Sequence, residues 1–281
     1  MPLNAEQRTR LREDAPFGLF VTKEWLSGKG YARHSIDNLV KSGQLISLRP
    51  GVYIRPDTQL GWEGVVCSLQ RMGGDLSVGG LTALELHGLG HYLALSETRR
   101  IVLFGADPLP SWINHLVRDV TFEKRSEARL FAASPYAETD DDREDAQERR
   151  RCKKRDPAMA GLTTMQIAEH LPPLSLSTPE RAILEVLFDV PKRVSFEHAD
   201  QLLQGLATLS PRRLETVLNL CVNIRVKRLF FWFADRHQFQ WRARLDPNDF
   251  GLGRGNRVVT KPGRLDPTYA ITVPESFADD T

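Results

Sequence analysis

Hydrophobic and polar positions divide the chain into short periodic segments separated by turns rich in glycine and proline. Asn4 to Ala15 has a polar, helical pattern, and Asn4 is suited to cap its start. Thr22 caps a second helix through Trp25 and Leu26, which Gly28 and Gly30 end. Within Ala32 to Ser42, Ile36, Leu39 and Val40 fall three and four apart. They therefore share one face of a third helix, stopped by Gly43. Leu45 to Leu48 and Val52 to Ile54 read as strands around the turn Arg49-Pro50-Gly51. Helix, helix, turn, helix and hairpin in this order predict a winged helix-turn-helix.

The remaining pattern mixes helices and strands. Trp62 to Met72 and Leu81 to His87 read as helices, Arg100 to Phe104 as a buried strand and Val117 to Phe122 as a weaker one. Leu174 to Ser177 feeds a helix with Thr178 at its cap, Pro179 in its first turn, and Ala182, Ile183, Val186 and Leu187 as its apolar stripe. Ser210-Pro211 opens another helix through Cys221, and Val226 to Asp235 reads as a buried helix. Strands follow at Val258 to Thr260 and Tyr269 to Val273. The fold class predicted is α+β: a winged helix-turn-helix over residues 1–58, then a larger mixed α/β domain over 59–281.

Length and composition agree with two folded units, since 281 residues with 41% hydrophobic content can build real cores. A net charge of +2 excludes a histone-like polycation and leaves room for a local basic face. The start of the chain lacks the apolar core of a secretory signal, and the longest apolar run, Leu229 to Ala234, is far too short to span a bilayer. Cys67, Cys152 and Cys221 are sparse, odd in number and far apart, as in reduced thiols. A soluble cytoplasmic protein without a membrane partner is expected. Residues 138–156 pass from the acidic block Asp140 to Asp142 into a basic one, Arg149 to Arg151 and Lys153 to Arg155. They read as a charged exposed loop, an exposed helix or an inter-domain connection.

The third helix carries the first candidate chemistry. Opposite its apolar face it offers Arg33, His34, Ser35, Asn38 and Lys41, and Arg suits guanine edges as Asn suits adenine. Arg49 at the hairpin turn and Arg55 beyond it are placed to reach phosphates. Residues 1–56 hold nine basic residues against five acidic ones, an excess of +4. Double-stranded DNA is the partner this predicts, against the alternative of a winged helix used for protein contacts. A second excess, +8, lies between Arg212 and Arg264. Arg225, Lys227, Arg228, Arg254, Arg257, Lys261 and Arg264 are its candidate surface, facing DNA phosphates or an acidic or RNA-bound partner, unless they spread over separate solvated faces.

Enzyme signatures are weak. His87 and His91 have a four-residue spacing, yet glycines interrupt the segment and no Glu or Cys completes a metal set. Gly251-Leu-Gly-Arg-Gly255 reads as a turn rather than a phosphate loop, because no long strand precedes it. Asp246 and Asp249 could pair as acid and base, but nothing else points to them. Neither a metal nor a cofactor is expected.

The segment Gly43 to Tyr53 resembles the wing of AbiEi-type antitoxins, the DNA-binding halves of type IV toxin–antitoxin (abortive infection) systems. Val78-Gly-Gly-Leu-Thr-Ala-Leu84, Ser177-Thr-Pro-Glu-Arg-Ala-Ile-Leu184 and Val226-Lys-Arg-Leu-Phe230 resemble second-domain motifs of that family, in the same order. The resemblance implies a winged helix joined to an antitoxin domain. It also implies repression of the protein's own promoter through inverted repeats, and opposition, direct or indirect, to a nucleotidyltransferase-like toxin. Ala32 departs from the small polar cap expected before the recognition helix, and residues 138–156 match nothing in the family, which reads as a local insertion. The competing readings are an enzyme, such as a nuclease or nucleotide-using protein, guided by the winged helix, and a transcription factor that senses a ligand.

Overall fold

A computed structural model describes residues 5–90, 98–132 and 161–277, with side chains from Thr9 onward. Asn4, His91 and the charged run 138–156 lie outside the described residues.

The chain begins with α1 (Ala5–Asp14), β1 (Phe20–Thr22), α2 (Lys23–Gly28), α3 (Arg33–Lys41), β2 (Ile46–Arg49) and β3 (Val52–Ile54). The three strands form an antiparallel sheet in the order β1-β3-β2. Pro50 and Gly51 turn the hairpin, and Gly51 takes the positive φ, +81°, that an L side chain rarely adopts. Strand alternation then sorts the sheet's side chains. Paired Val21 and Tyr53 face a small core with Leu11, Ala15, Leu26, Ile36, Leu39 and Leu45. Phe20, Val52 and Ile54 face the other way, into the main core of the protein. The helices thus cover one side of this sheet and the rest of the chain covers the other.

α4 (Trp62–Arg71) supplies that second cover, and its Ser68 hydroxyl accepts a hydrogen bond from the Phe20 N–H at 2.9 Å. Gly64 permits the approach, because a Cβ there would stand 2.1 Å from the Gly18 carbonyl oxygen. In an ordinary helix Gly→Ala gains about 1 kcal/mol. Here Gly64→Ala is expected to reverse sign and cost about 1–3 kcal/mol through overpacking. Gly28→Ala, with nothing within 4 Å of its added methyl, is the control expected to be tolerated. Urea denaturation of the two variants checks the contrast.

The larger part is built on a five-stranded mixed sheet in the order β6-β5-β4-β8-β7. Its strands are β4 (Leu76–Val78), β5 (Arg99–Gly105), β6 (Val120–Ser126), β7 (Leu162–Met165) and β8 (Leu174–Ser177). β4 runs antiparallel to β5 and parallel to β8. Ile101 to Phe104 in β5 are all buried, as a strand covered on both faces requires. α5 (Gly80–Leu86) and α6 (Pro179–Asp189) pack together beside this sheet. α7 (Phe196–Gln204), α8 (Pro211–Leu220) and α9 (Ile224–His237) extend the core, and a short hairpin of β9 (Arg264–Asp266) and β10 (Ile271–Val273) closes it.

Two helices are buried almost all round: α6, and α9, in which every residue from Val226 to Ala234 is buried. The aromatic rings of α9 pack in two groups: Trp232 and Phe233 with Phe196 and Phe277, and Phe230 and Phe231 with Trp241, Phe250 and Tyr269.

Three local expectations change. Thr178 occupies the cap position of α6, but its hydroxyl makes no cap hydrogen bond and is buried without a partner among the described residues. Val258 to Thr260 is not a strand, because the Thr272 hydroxyl, rather than a strand backbone, receives the Val259 and Thr260 N–H groups. α7 has no counterpart in the sequence reading, although the Ser195 hydroxyl caps it by accepting from the His198 N–H.

Candidate nucleic-acid interface

α3 is held by its buried face and by the turn that precedes it. Ile36 and Leu39 are buried in the small core with Val40 packed beside them. The Tyr31 hydroxyl donates to Asp14 Oδ2 at 3.0 Å, tying the α2–α3 turn to α1. Burial and that carboxylate push the hydroxyl's pKa up to about 12, so the link stays a donor throughout the physiological range. Arg10 stands over the Tyr31 ring, 5.1 Å from its centroid, and donates to the Lys29 carbonyl.

The opposite face of α3 is open. Arg33, His34, Asn38 and Lys41 are exposed and Ser35 is half-buried. Among the described residues, no hydrogen bond or ion pair uses the side chain of Arg33, His34, Asn38 or Lys41. Ala32 provides no side-chain cap, and the first turn carries no acidic residue. Arg33 therefore sets a cation at the positive end of the helix dipole without compensation, at a cost of about 0.3–1 kcal/mol. Fold stability gives no reason for that choice.

The hairpin is joined to this helix pair by a contact that sequence did not reveal. The Lys23 N–H at the start of α2 donates to the Gly51 carbonyl at 2.8 Å, and the Lys23 ammonium lies 3.7 Å from Asp37 of α3. Arg49 is half-buried, with its guanidinium 5.2 Å from the Trp112 ring centroid. Its expected reach toward phosphate is thus shared with a residue of the larger part. Arg55 is half-buried just past β3.

The second basic surface requires correction. Lys227 and Arg228 are buried in α9 and spend their charges on backbone carbonyls. Lys227 Nζ donates to the Phe250 carbonyl at 2.6 Å. Arg228 donates to the carbonyls of Leu252, Gly255 and Ala270 at 2.7, 2.6 and 3.2 Å. Arg225 is half-buried and caps the C-terminal end of α6 through the Phe188 and Val190 carbonyls. Burial lowers the pKa of all three. Lys227 and Arg228 are an internal brace for two loops, not a phosphate surface, and Arg225 is tied to a helix end. The glycine-rich loop at 251–255 accordingly turns carbonyls inward around a cation. Arg254, Lys261 and Arg264 are exposed and Arg257 is half-buried.

The two motifs of the larger part converge on a buried ion-pair network. Glu185 Oε1 accepts from Arg181 Nε at 2.8 Å and from the Ser177 hydroxyl at 2.9 Å, and its Oε2 accepts from the Gly80 N–H at 2.8 Å. Arg181 also donates to Glu127 at 3.0 Å and covers the Phe131 ring at 4.4 Å. Burial raises the Glu185 pKa, while Arg181, Gly80 and Ser177 oppose that rise. Gly79 belongs to the same packing: a Cβ there would sit 2.4 Å from Glu185 Oε2. The Val78 to Leu84 and Ser177 to Leu184 stretches are therefore two sides of one contact. His87 is next to it, its Nε2 3.0 Å from the Ser177 carbonyl. Among the described residues, no group of three His, Cys, Asp or Glu side chains is placed to hold a metal.

Family models match nearly the whole length. Residues 4–95 match the AbiEi antitoxin N-terminal domain of a transcriptional regulator. Residues 98–274 match the transcriptional regulator, AbiEi antitoxin, of type IV toxin–antitoxin systems. The chain belongs to the AbiEi antitoxin family of transcriptional regulators. Among curated proteins none matches it. The crystal structure of the RV2827C protein from Mycobacterium tuberculosis superposes with a TM-score of 0.48 at 18% identity, covering 94% of this chain and 89% of that one. Among the described residues, no helix is long and apolar enough to cross a membrane.

Proposed function

We propose that this chain is a DNA-binding antitoxin that represses its own operon and counteracts a nucleotidyltransferase-like toxin. In this reading residues 1–58 form a winged helix-turn-helix, α3 enters the major groove at inverted repeats in the promoter, and residues 59–281 carry the antitoxin role. The observation that carries it is the outer face of α3, where Arg33, His34, Asn38 and Lys41 stand exposed without partners among the described residues while Ile36 and Leu39 anchor the helix. The family match supplies the setting. A binding protein is proposed rather than an enzyme: Arg181 and Glu185, the most deeply buried ionisable pair, are satisfied by each other and by structural partners.

Repression and toxin neutralisation are expected to separate under point substitution and not under truncation. Removing residues 1–56 would strip Leu19, Phe20, Val52 and Ile54 from the main core. An Arg33→Ala/Asn38→Ala variant leaves that core intact. It should release a promoter–reporter fusion from repression while still rescuing cells that express the adjacent toxin gene. Loss of rescue in a variant with unchanged thermal stability would show that the α3 face serves the toxin as well, against the proposed division.

A further inference from the structure

The larger part holds a cleft that neither DNA reading by α3 nor the buried network uses. It has a volume of about 700 Å³ and lies between the end of β6, the α6–α7 connection, the start of α9 and the segment before β9. Six cations line it, Lys124, Arg125, Arg129, Lys192, Arg193 and Arg225, and none of its lining residues is acidic. Asp189 holds Arg125 and Arg193 from behind, and Glu123 also holds Arg125. Lys124, Arg129, Lys192 and Arg225 have no carboxylate at ion-pair distance among the described residues. The cleft thus carries an excess of positive charge in a concave, partly desolvated setting, where an anion is bound more strongly than on a flat face.

Two of these cations are also fixed in advance. Arg125 is gripped by Asp189 at 2.8 and 3.0 Å, and Arg225 by the last carbonyls of α6. Little side-chain entropy remains to be lost when a ligand arrives. The cleft is not wholly polar. Phe188, Val258 and Val259 contribute to its wall, and Val258 at 55% is the most exposed large apolar side chain among the described residues. Volume, charge and an apolar strip together suit a compact anion with a flat organic part, within the roughly 300–1,000 Å³ typical of small-molecule sites. A duplex backbone is convex and would reach the rim residues Arg129 and Lys192, but not the recessed Arg125 and Arg225.

We propose that this cleft binds a nucleoside di- or triphosphate, its phosphates on Lys124, Arg129, Lys192 and Arg225 and its base against Val258 and Phe188. The assignment is independent of the DNA-binding reading.

Calorimetric titration of the full chain with ATP, GTP and tripolyphosphate at low salt tests it. At least one nucleotide is expected to bind at or below about 1 mM and to bind more tightly than tripolyphosphate, which lacks the base. Arg129→Glu/Lys192→Glu, at two exposed positions that hold nothing else in place, should weaken the nucleotide roughly tenfold or more, since each lost contact is charge-assisted. Asn38→Ala should leave it unchanged. Undetectable nucleotide binding, or binding indifferent to the charge reversal, would overturn the site. Tripolyphosphate binding as tightly as the nucleotides would overturn the nucleoside assignment. A charge-reversed variant that loses only duplex DNA affinity, with no nucleotide bound by the parent, would assign the rim to nucleic acid instead.

Discussion

Arg181→Ala is expected to destabilise the fold by about 3–5 kcal/mol, the penalty typical of leaving one member of a buried ion pair without its partner. Arg181 and Glu185 are both fully buried, and the pair bridges β8, α5, α6 and the turn at Glu127. Removing the guanidinium leaves Glu185 with only the Gly80 N–H and the Ser177 hydroxyl. Replacing both members, as Arg181→Met/Glu185→Leu, should cost less than Arg181→Ala, because the fully buried Glu185 charge is then removed with its partner and only the partly exposed Glu127 loses an ion pair. Urea denaturation of the two single variants and the double variant measures the coupling. A loss below about 1 kcal/mol for Arg181→Ala would mean that water reaches the network.

Arg228→Gln is the second substitution with a large expected effect. Its guanidinium satisfies three carbonyls of the C-terminal loops, and a buried acceptor left unpaired costs about 1–3 kcal/mol. The expected result is a marked drop in the denaturation midpoint with no change in how DNA affinity depends on salt. A phosphate contact would behave oppositely, since each one contributes about 0.9 to the slope of log affinity against log salt. A stable Arg228→Gln protein with a flattened slope would return this residue to the nucleic-acid surface.

Arg228 also shows where sequence reading stops. Arg225, Lys227 and Arg228 stand together as a basic cluster before an apolar run, and composition alone suggests a surface. Long basic side chains can bury their stems and turn their heads to carbonyls, however, and the carbonyls here come from residues 23 or more positions away. No local pattern announces that. The apolar run itself was legible: Leu229 to Ala234 without a polar break predicts a helix buried all round, and α9 is one. The α3 pattern was equally legible, because the spacing of Ile36 and Leu39 fixes which side chains remain outside. Thr178 shows the converse failure. A Thr before Pro is a sound cap by propensity, yet tertiary packing left its hydroxyl idle and used Ser177 one residue earlier. The basic cleft was invisible for a topological reason. Its cations come from four separate stretches between Lys124 and Arg225, of which only the last stands out in charge along the sequence.

In the proposed function α3 reads bases in the promoter of the protein's own gene. Fluorescence-anisotropy titration of wild type, Arg33→Ala and Asn38→Ala on promoter DNA and on a scrambled duplex of equal length decides whether it does. Each substitution should weaken promoter binding by about 1–3 kcal/mol and relax preference at one base position. Binding to the scrambled duplex should change little for Asn38→Ala, which removes no charge. Equal losses on both duplexes, or no preference for the promoter in the wild-type protein, would contradict base reading by this helix.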